Sequence, residues 1–508
     1  MAPEAADIVV VGAGAAGLYA AHLLRTAAPA LKTVVLEAGS RAGGRILSLE
    51  HFAPWPIDLG GEFIHGEDTL HYNFCRKHGL ALQRTFCSFP PTGGREAYFP
   101  EDGRPVAEHF WLPTERRLVS WVDAQQPEEA GGVPHLAHML AELENIEFGV
   151  DIAPGAASDL YTYLVGRGVH QSVLSLADSV LAKTWSTDLH MLDAAECAAE
   201  SAKEHFEPGP NNFIVEGGQK QMLDVMAEGA DIRFKSMVTL IEHQGDGSGH
   251  VVRTEAGEEY RTARVLVAAP VTAYRPAAEG SFAFSPRIPA LETAAAEAFE
   301  GWAVKVLLSF TRRFWDPSML LVFCADSVVS QIWADPPRPT YAEAGDCHVL
   351  TGFITGSQAK AASGWSAWEV VDAFLKQLDA MFATQEVPRP ASDAKDDHSI
   401  CNWVTYGDIC ASYTSPTKGS ADRESPLLVS ASPEVSEPCR LGGAGMSAFS
   451  ALHHDGGLAC CGEHVGGHAH YEIGTINAAM ESAQAAVERW FPDALPAEFR
   501  ELSSKPRL

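Results

Sequence analysis

The chain has 508 residues and a formal net charge of −29, with 46% hydrophobic and 20% charged residues. This composition is typical of a soluble globular protein, and the length predicts two intertwined domains around a large core. The negative charge argues against binding nucleic acid or an anionic membrane through the bulk surface. It would attract cationic small molecules, although an acidic surface also keeps a protein soluble. No run of eighteen apolar residues is present, so we predict no transmembrane helix.

The ten cysteines are scattered, with neither metal-ligand spacing nor a framework of pairs. We therefore predict reduced thiols in a reducing compartment, and no metal site. The first predicted strand begins at Ile8, which leaves no room for a signal peptide. We expect a cytoplasmic protein, or a peroxisomal one if the terminal Pro506-Arg507-Leu508 acts as a variant of the peroxisomal tripeptide.

A strand, a glycine turn and a helix open the chain. The apolar run Ile8 to Val11 is typical of a buried parallel strand, and the turn that follows contains Gly12, Gly14, Ala15, Ala16 and Gly17. In a nucleotide-binding unit these glycines allow a tight turn, close approach of a pyrophosphate and close helix packing, and the helix N-terminus faces the anion. Glu37 follows Gly17 by twenty residues, where a carboxylate can accept ribose hydroxyls. The pattern predicts a dinucleotide site for NAD or FAD.

A second glycine-rich turn follows Glu37 directly. It runs from Ala38 through Arg41 and Gly44 to Arg45. Nicotinamide enzymes have no need of this second turn, whereas a flavin buried along its whole length does, because its phosphates and ribityl chain must be held beyond the first turn. The turn favours FAD.

These motifs resemble the flavin-containing amine oxidases, a group that includes polyamine oxidases, monoamine oxidases and lysine-specific histone demethylases. The resemblance implies an α/β fold in which a Rossmann-like FAD-binding domain is intertwined with an α+β substrate domain. We expect residues 1–90, 211–275 and 425–495 in the FAD-binding domain, residues 91–210 and 276–424 in the substrate-binding domain, and residues 496–508 as a C-terminal tail.

The segment from Pro56 to Gly66 matches a family pattern that runs beneath the flavin and then turns toward the substrate. By that resemblance Leu59, Gly60, Gly61 and Glu62 bind the cofactor, and His65 contacts the substrate amine. Without the family, a single histidine before a glycine is typical of a structural residue.

The same resemblance implies that two later segments of the chain contact the cofactor. After the Phe213 to Gln219 turn we predict a strand from Ile232 to Leu240, in which the backbone of Val238 lies against the adenine. The strand that begins at Val265 then leads to Ala269, where small residues let the flavin approach.

Lys305 lies in the strand-like run from Trp302 to Phe310. Alternation places Lys305 on one face with Ala303, Leu307 and Ser309, which on its own is typical of a solvated lysine. The segment matches the lysine strand of the family, in which the lysine holds a water beside flavin N5 and assists reoxidation by oxygen. We therefore predict a catalytic role for Lys305.

Trp403 and Tyr413 have the spacing of a tryptophan and a cage tyrosine in monoamine oxidases. Apolar walls would keep an amine neutral and able to release hydride. The residue before that tyrosine is a flavin-linking cysteine in monoamine oxidases and is Ser412 here, so noncovalent FAD is expected, with Cys410 two residues away.

The last cofactor segment is a strand that ends at Gly462 and Glu463, followed by a helix from Ile476 that Thr475 can cap. In the family this glutamate reaches the ribityl-phosphate region, and the helix N-terminus points at flavin N1 and O2. Many relatives have a second cage aromatic at the position of Thr475, whereas the demethylases have threonine. The loop 465–474 is about three residues longer than in polyamine oxidases.

The resemblance implies oxidation of an amine C–N bond by hydride transfer to flavin N5, with O2 as acceptor and an imine or aldehyde, an amine and H2O2 as products. A small-molecule amine and O2 are the expected partners. The alternatives are an L-amino acid oxidase, for which only Arg116, Arg117, Arg312 and Arg313 are candidates, and a flavoprotein without net oxidation, such as an isomerase or a partner-binding protein. A histone demethylase is disfavoured because we identify neither an inserted coiled-coil arm nor an N-terminal helical module. The sequence leaves the oligomeric state open.

Overall fold

The computed structural model describes residues 2–87, 107–147, 152, 159–195, 197–198, 211–276, 278, 280–298, 301–310, 312–336, 338–341, 347–382, 400–406, 447–465, 474–492 and 495. The α-helices within these ranges are Ala15–Ala27, Leu70–Lys77, Trp121–Ala124, Leu136–Glu147, Leu160–Gly166, Leu174–Ala177, Lys220–Ala227, Pro289–Glu297, Gly356–Ala361, Ala367–Met381, Ser447–Ser450 and Ile476–Trp490. None of the helices in these ranges has both the length and the apolar composition that crossing a bilayer requires.

A five-stranded parallel sheet is built from the two ends and the middle of the chain. Its strands lie in the order Asp231–Arg233, Thr33–Leu36, Ile8–Val11, Arg264–Val267 and Leu458–Cys460. Alternate residues of Ile8–Val11 pack against the helices Ala15–Ala27 and Ile476–Trp490 on one face and against a second sheet on the other. Because both faces are covered, these strands are apolar along their whole length.

This second sheet, the mixed sheet, contains parallel and antiparallel pairs. Its strands lie in the order Glu4–Ala5, Glu259–Thr262, Gly249–Thr254, Val238–Gln244 and Ala283–Ser285. The prediction of one strand from Ile232 to Leu240 is therefore wrong, because that stretch is divided between the parallel and mixed sheets. The chain turns at Lys235, whose φ is +55°, and the Lys235 N–H donates to the Gly39 carbonyl.

A seven-stranded sheet forms the second large unit. Its strands lie in the order Ile400–Tyr406, Ala303–Phe310, His348–Thr355, Gln331–Ala334, Met319–Cys324, Ala107–Leu112 and Arg117–Ser120. The alternation expected for Ala303–Phe310 is confirmed, since Val304, Val306, Leu308 and Phe310 pack with the helix Ala367–Met381. Leu307 on the opposite face packs with Ile57 and Leu59. This second contact joins the sheet to the predicted cofactor segment.

Two small sheets lie between the large units. One contains Ile64–His65, Asn211–Val215 and Leu82–Cys87, in that order, and the other pairs Ser48–Leu49 with Ile57–Asp58. The parallel sheet with its helices gives the expected α/β class. The domain boundaries near residues 90, 210, 275 and 424 stay predictions, and residues 496–508 lie outside the described ranges.

Candidate active site

The first glycine turn lies where the parallel strands end. Gly12 has a φ of +102°, and a Cβ at this position would lie 2.8 Å from the carbonyl oxygen of Ala268. A Cβ at Gly17 would overlap the carbonyl oxygen of Gly12. Gly14 differs, because within the described part of the chain no atom lies within 4 Å of a Cβ placed there. The first and third glycines thus serve the packing, and the second leaves an open approach to the backbone.

The helix that starts at Ala15 has no side-chain cap. Gly14 is its N-cap residue, and the Leu18 N–H makes a helical bond to the Gly14 carbonyl. The N–H groups of Ala15, Ala16 and Gly17 precede that bond and point out of the helix start. Together with the helix dipole they favour a negative charge beside the open face of Gly14.

Glu37 is held in place by two backbone groups. Its Oε2 accepts a hydrogen bond from the Ala13 N–H and its Oε1 accepts one from the Gly39 N–H, both at 2.7 Å. Each carboxylate oxygen keeps lone pairs for further donors such as ribose hydroxyls. Ala38 beside it is exposed. The Ser236 N–H donates to the Glu37 carbonyl, and Ser236 precedes Val238 by two residues.

The second glycine turn contacts the first. The Gly43 N–H donates to the Ala13 carbonyl at 2.7 Å, and a Cβ at Gly44 would lie 3.4 Å from the Cα of Gly14. The Arg41 guanidinium donates to the carbonyls of Ala42, Gly44 and Ile46 and so braces its own turn. The two turns therefore form one continuous cradle.

Arg45 connects the second glycine turn to the last segment of the chain. Its Nη2 lies 2.5 Å from Oε1 of Glu463, which is 5% exposed. Burial raises the pKa of Glu463, while the charge of Arg45 opposes that rise. Gly462 is fixed by a hydrogen bond from its N–H to the Ser482 hydroxyl at 2.9 Å. The buried ion pair thus joins residues that are more than four hundred positions apart.

The segment from Leu59 to Glu62 passes between the second turn and the last helix. A Cβ at Gly60 would overlap the carbonyl oxygen of Arg45, and one at Gly61 would lie 3.1 Å from Cδ1 of Ile476. Thr475 caps that helix by accepting a hydrogen bond from the Ala478 N–H at 3.0 Å, so the predicted cap is confirmed. Gly60 therefore has no room for a side chain, whereas a Cβ at Gly61 would require only a small shift of Ile476.

Lys305 is buried in this region and is 2% exposed, so the interpretation as a solvated lysine is wrong. Its Nζ donates to Glu62 Oε2 at 2.6 Å, to the Asp58 carbonyl at 2.8 Å and to the Gly60 carbonyl at 3.3 Å. It also lies 5.2 Å from the ring centroid of Trp333. The ammonium group is therefore anchored to the predicted cofactor segment, with Glu62 as its counter-ion.

Asp58 is a further buried acid that the sequence did not single out. Its carboxylate accepts hydrogen bonds from the Ser48 hydroxyl at 2.5 Å and from the Gln219 N–H at 3.1 Å. Burial, opposed mainly by the Ser48 hydrogen bond, raises its pKa to about 7. The matched motif from Pro56 to Gly66 contains this residue, so its position in that segment was the available signal.

His65 is partnered by a second residue that the sequence did not reveal. Its Nδ1 lies 2.6 Å from the amide oxygen of Asn212, which is 1% exposed. The two residues are opposite one another in the three-stranded sheet. An amide oxygen accepts, so Nδ1 carries the proton and Nε2 is left as an acceptor.

The other predicted positions are described to different extents. Ala269 follows the Arg264–Val267 strand, next to Ala268, whose N–H donates to the Val11 carbonyl. The Cα register pairs Trp403 with Leu308 and Tyr406 with Lys305, which brings the Trp403 strand beside the Lys305 strand. The side chain of Trp403 lies outside the described residues, as do Tyr413, Cys410, Ser412 and the loop 466–473.

The arginines considered for a carboxylate substrate lie elsewhere. Arg116, Arg117, Arg312 and Arg313 are exposed, as expected. Arg338 is buried, but it lies 2.8 Å from Asp335 and donates to the carbonyls of Val215 and Glu216. These five guanidinium groups thus offer no buried, unengaged partner for a carboxylate.

The model for flavin containing amine oxidoreductases matches residues 15–489. The chain belongs to this family. The open Gly14 face, the uncapped helix start and the anchored Glu37 carboxylate fit its flavin cofactor, because they present N–H groups to phosphates and oxygens to a ribose.

Relatives in this family include two kinds of enzyme. Human lysine-specific histone demethylase 2 is 24% identical over 420 residues, which cover 78% of this chain but 46% of the demethylase. Putrescine oxidase from Kocuria rosea is 26% identical over 439 residues, covering 80% of this chain and 84% of the oxidase. The chain thus spans about half the length of the demethylases and most of the oxidase.

The fold is shared with solved amine oxidases. The structure of putrescine oxidase bound to putrescine has a TM-score of 0.69 at 16% identity and covers 96% of this chain and 99% of that one. Cyclohexylamine oxidase from Brevibacterium oxydans has a TM-score of 0.68 at 17% identity, with the same coverage. The predicted amine oxidase fold is confirmed.

Proposed function

We propose that the chain is an FAD-dependent amine oxidase of the polyamine oxidase type, with noncovalent FAD and O2 as the electron acceptor. One observation carries the proposal. The buried Lys305 is bonded to the backbone and the carboxylate of the Asp58 to Glu62 segment, between the second glycine turn and the last helix. The burial of this cation on the predicted cofactor segment supports a role in redox chemistry rather than in surface charge.

The cradle supports FAD in particular. Glu37 would accept the adenosine ribose hydroxyls, and the backbone of Val238 would line the adenine side. The helix start at Ala15 would bind the pyrophosphate, and Arg45 with Glu463 would hold the ribityl-phosphate region. FAD, when bound, supplies the two-electron oxidation of the C–N bond and passes the electrons to O2 as H2O2.

His65 is the residue from which we propose the substrate contacts. Asn212 fixes its Nδ1–H, so Nε2 can accept a hydrogen bond from the N–H of an amine. Lys305 would hold positive charge beside the reacting centre, and Glu62 and the two carbonyls keep that charge in one position. Tyr413 and Trp403 stay predicted members of the apolar wall. The net charge of −29 supports a cationic class of substrate such as polyamines.

The test is the absorbance spectrum of the purified protein under anaerobic conditions. Spermine, spermidine, N-acetylated polyamines, putrescine, simple monoamines and L-amino acids are added in turn, followed by air and a peroxide assay. We expect one class of amine to bleach the flavin, with recovery and peroxide after air is admitted. A bound flavin that only amino acids bleach would identify an amino acid oxidase. A flavin that none of these compounds bleaches would contradict oxidase function.

Lys305→Met tests the proposed role of the lysine. We expect much slower reoxidation of the reduced flavin by O2, with the flavin still bound, because the fixed positive charge is lost. Stopped-flow absorbance measures the rate. Glu62→Gln/Lys305→Met, which removes both charges, should reoxidise as slowly, and Ser309→Ala on the same face of the strand should behave like the parent. Equal oxygen reactivity in the double variant and the parent would remove this role.

A further inference from the structure

Three histidines meet at the far end of the mixed sheet. His243 and His250 are opposite one another on the strands Val238–Gln244 and Gly249–Thr254, and His454 comes from the turn before the strand Leu458–Cys460. One candidate ligand nitrogen from each ring lies within 4.8 Å of the other two. Within the described ranges this is the one group of three such side chains that could share a metal ion.

The cluster is remote from the proposed flavin site. Cofactor residues follow the carboxyl ends of the parallel strands, whereas His454 precedes the amino end of the last one. His243 is five residues from Val238 along its strand, which corresponds to roughly 16 Å. The flavin chemistry therefore does not explain why these three rings converge.

Several ring nitrogens of the cluster are buried without a hydrogen bond of standard geometry. His250 is 1% exposed, and neither of its ring nitrogens makes a hydrogen bond of standard geometry to the described residues. The same holds for both ring nitrogens of His454 and for Nδ1 of His243. The backbone of Ala263 and that of Pro286 lie within hydrogen-bonding reach of one nitrogen of His250 and of His454, respectively. The other nitrogen of each ring is buried without a partner among the described residues, which is costly, so this arrangement calls for a ligand.

The geometry of the cluster suits a metal ion. Zinc bonds of 2.0–2.1 Å in a tetrahedral site place ligand nitrogens about 3.3 Å apart. Small rotations of the three side chains would bring nitrogens now within 4.8 Å to that distance.

Asp455 contacts the histidine cluster from the solvent side. Its carboxylate lies 3.3 Å from Nε2 of His243 and is 94% exposed. A carboxylate that accepts from one ring nitrogen fixes the tautomer and leaves the other nitrogen, here Nδ1, as the metal ligand. The turn that carries His454 and Asp455 has positive φ values of +49° and +55° at these two residues. The backbone thus adopts an unfavourable conformation where it presents both side chains.

We propose that His243, His250 and His454 bind a divalent transition metal ion, zinc foremost, with water in the fourth position. Imidazole ligands suit zinc, copper and nickel, and a site without thiolates does not favour Cu(I). The ion would fasten the turn before the last parallel strand to the mixed sheet, and zinc, which has no redox chemistry, would not exchange electrons with the flavin. The three positions 243, 250 and 454 are too far apart in sequence to form a recognisable metal motif.

The alternative is that the rings only pack together. Their centroids lie 4.9 to 5.4 Å apart, with interplanar angles of 21° to 46°. The experiment therefore uses untagged, flavin-loaded protein treated with chelator and then dialysed against limiting Zn2+, with bound metal measured by mass spectrometry. Co2+ replaces Zn2+ in a second sample, because tetrahedral cobalt absorbs at longer wavelengths than oxidised flavin.

The variants use the two half-buried histidines, since a change at His250 could unfold the sheet. We expect one zinc per parent chain, a higher thermal midpoint with zinc, and at least tenfold weaker binding in His454→Gln and His243→Gln, with flavin absorbance unchanged. His170→Gln is the matched control, because His170 stacks on His135 at 4.1 Å without a third histidine. Absence of stoichiometric metal in the parent, or equal binding in the parent and both variants, would overturn the site.

Discussion

The two ends of the proposed cofactor site are built from different kinds of chemical group. The phosphate end consists of backbone N–H groups and glycines from one stretch of chain, residues 12–45, with Glu37 as its only carboxylate. The reactive end gathers Asp58, Glu62, Lys305 and Arg338 from three separate stretches, all of them buried. The first end is thus sensitive to added volume, and the second to the loss of a charge.

The difference follows from what each end must hold. A pyrophosphate is bound well by fixed N–H groups, so only the backbone conformation and space matter. At the reactive end each buried charge is stable only with a partner, and the Lys305–Glu62 pair joins residues that are distant in sequence. Substitutions that separate volume from charge test this distinction.

The largest effect is expected from Gly17→Ala at the phosphate end. Its Cβ would overlap the Gly12 carbonyl, so we expect a loss of about 3 kcal/mol or more in the free energy of unfolding, measured by urea denaturation. Gly14→Ala is the matched control, because its Cβ enters open space. That variant should fold like the parent and bind flavin about tenfold more weakly. Equal stability of the two variants would refute the volume argument.

Glu62→Gln removes a charge from the reactive end while conserving the side-chain volume. It leaves the buried Lys305 ammonium without its counter-ion, and we expect a loss of about 3 kcal/mol in unfolding free energy. Lys305→Met should cost a similar amount, and the double variant should cost less than the sum of the two. A urea double-mutant cycle measures this coupling. Additive effects would mean that the pair is not an energetic unit.

Asn212→Ala tests the positioning of His65. Loss of one hydrogen bond frees the ring to rotate, and we expect amine oxidation to slow by up to about tenfold, with flavin binding unchanged. Asn212→Asp keeps an oxygen acceptor beside Nδ1 and should therefore slow amine oxidation less than Asn212→Ala does. Unchanged steady-state kinetics in both variants would return His65 to a structural role.

The sequence was most informative where one short stretch makes one structure. The strand Ile8–Val11, its helix and Glu37 could be identified because the glycines have fixed spacing and the acid follows at a known distance. Thr475 was identifiable as a cap because a helical stripe begins directly after it. These inferences depend on local backbone geometry.

Long-range pairing could not be deduced in the same way. The pattern gave the face on which Lys305 lies but not its burial, because its partners Glu62 and Asp58 come from more than two hundred residues earlier. The divided strand at Lys235 was missed for a related reason, since its turn is fixed by a bond to Gly39 in another segment. Asn212 and the three histidines likewise become recognisable only when their strands are paired.

Asp58→Asn should have the smallest effect and sharpens the comparison through pH. Burial raises the folded-state pKa of Asp58 to about 7 from an ordinary 3.8, so between these values the folded protein holds a proton that the unfolded chain releases. The stability that this proton contributes is complete at low pH and is lost as the pH rises through 7. Between about pH 5 and pH 6 the unfolding free energy of the parent should fall by about 1 kcal/mol more than that of Asp58→Asn, which cannot titrate at this position. Urea denaturation at each pH measures the difference, with Gly14→Ala as a control that keeps the acid. Parallel curves for the parent and Asp58→Asn would mean that Asp58 is already ionised in the folded protein, and that Asp58 and Glu62 together balance the charges of Lys305 and Arg338.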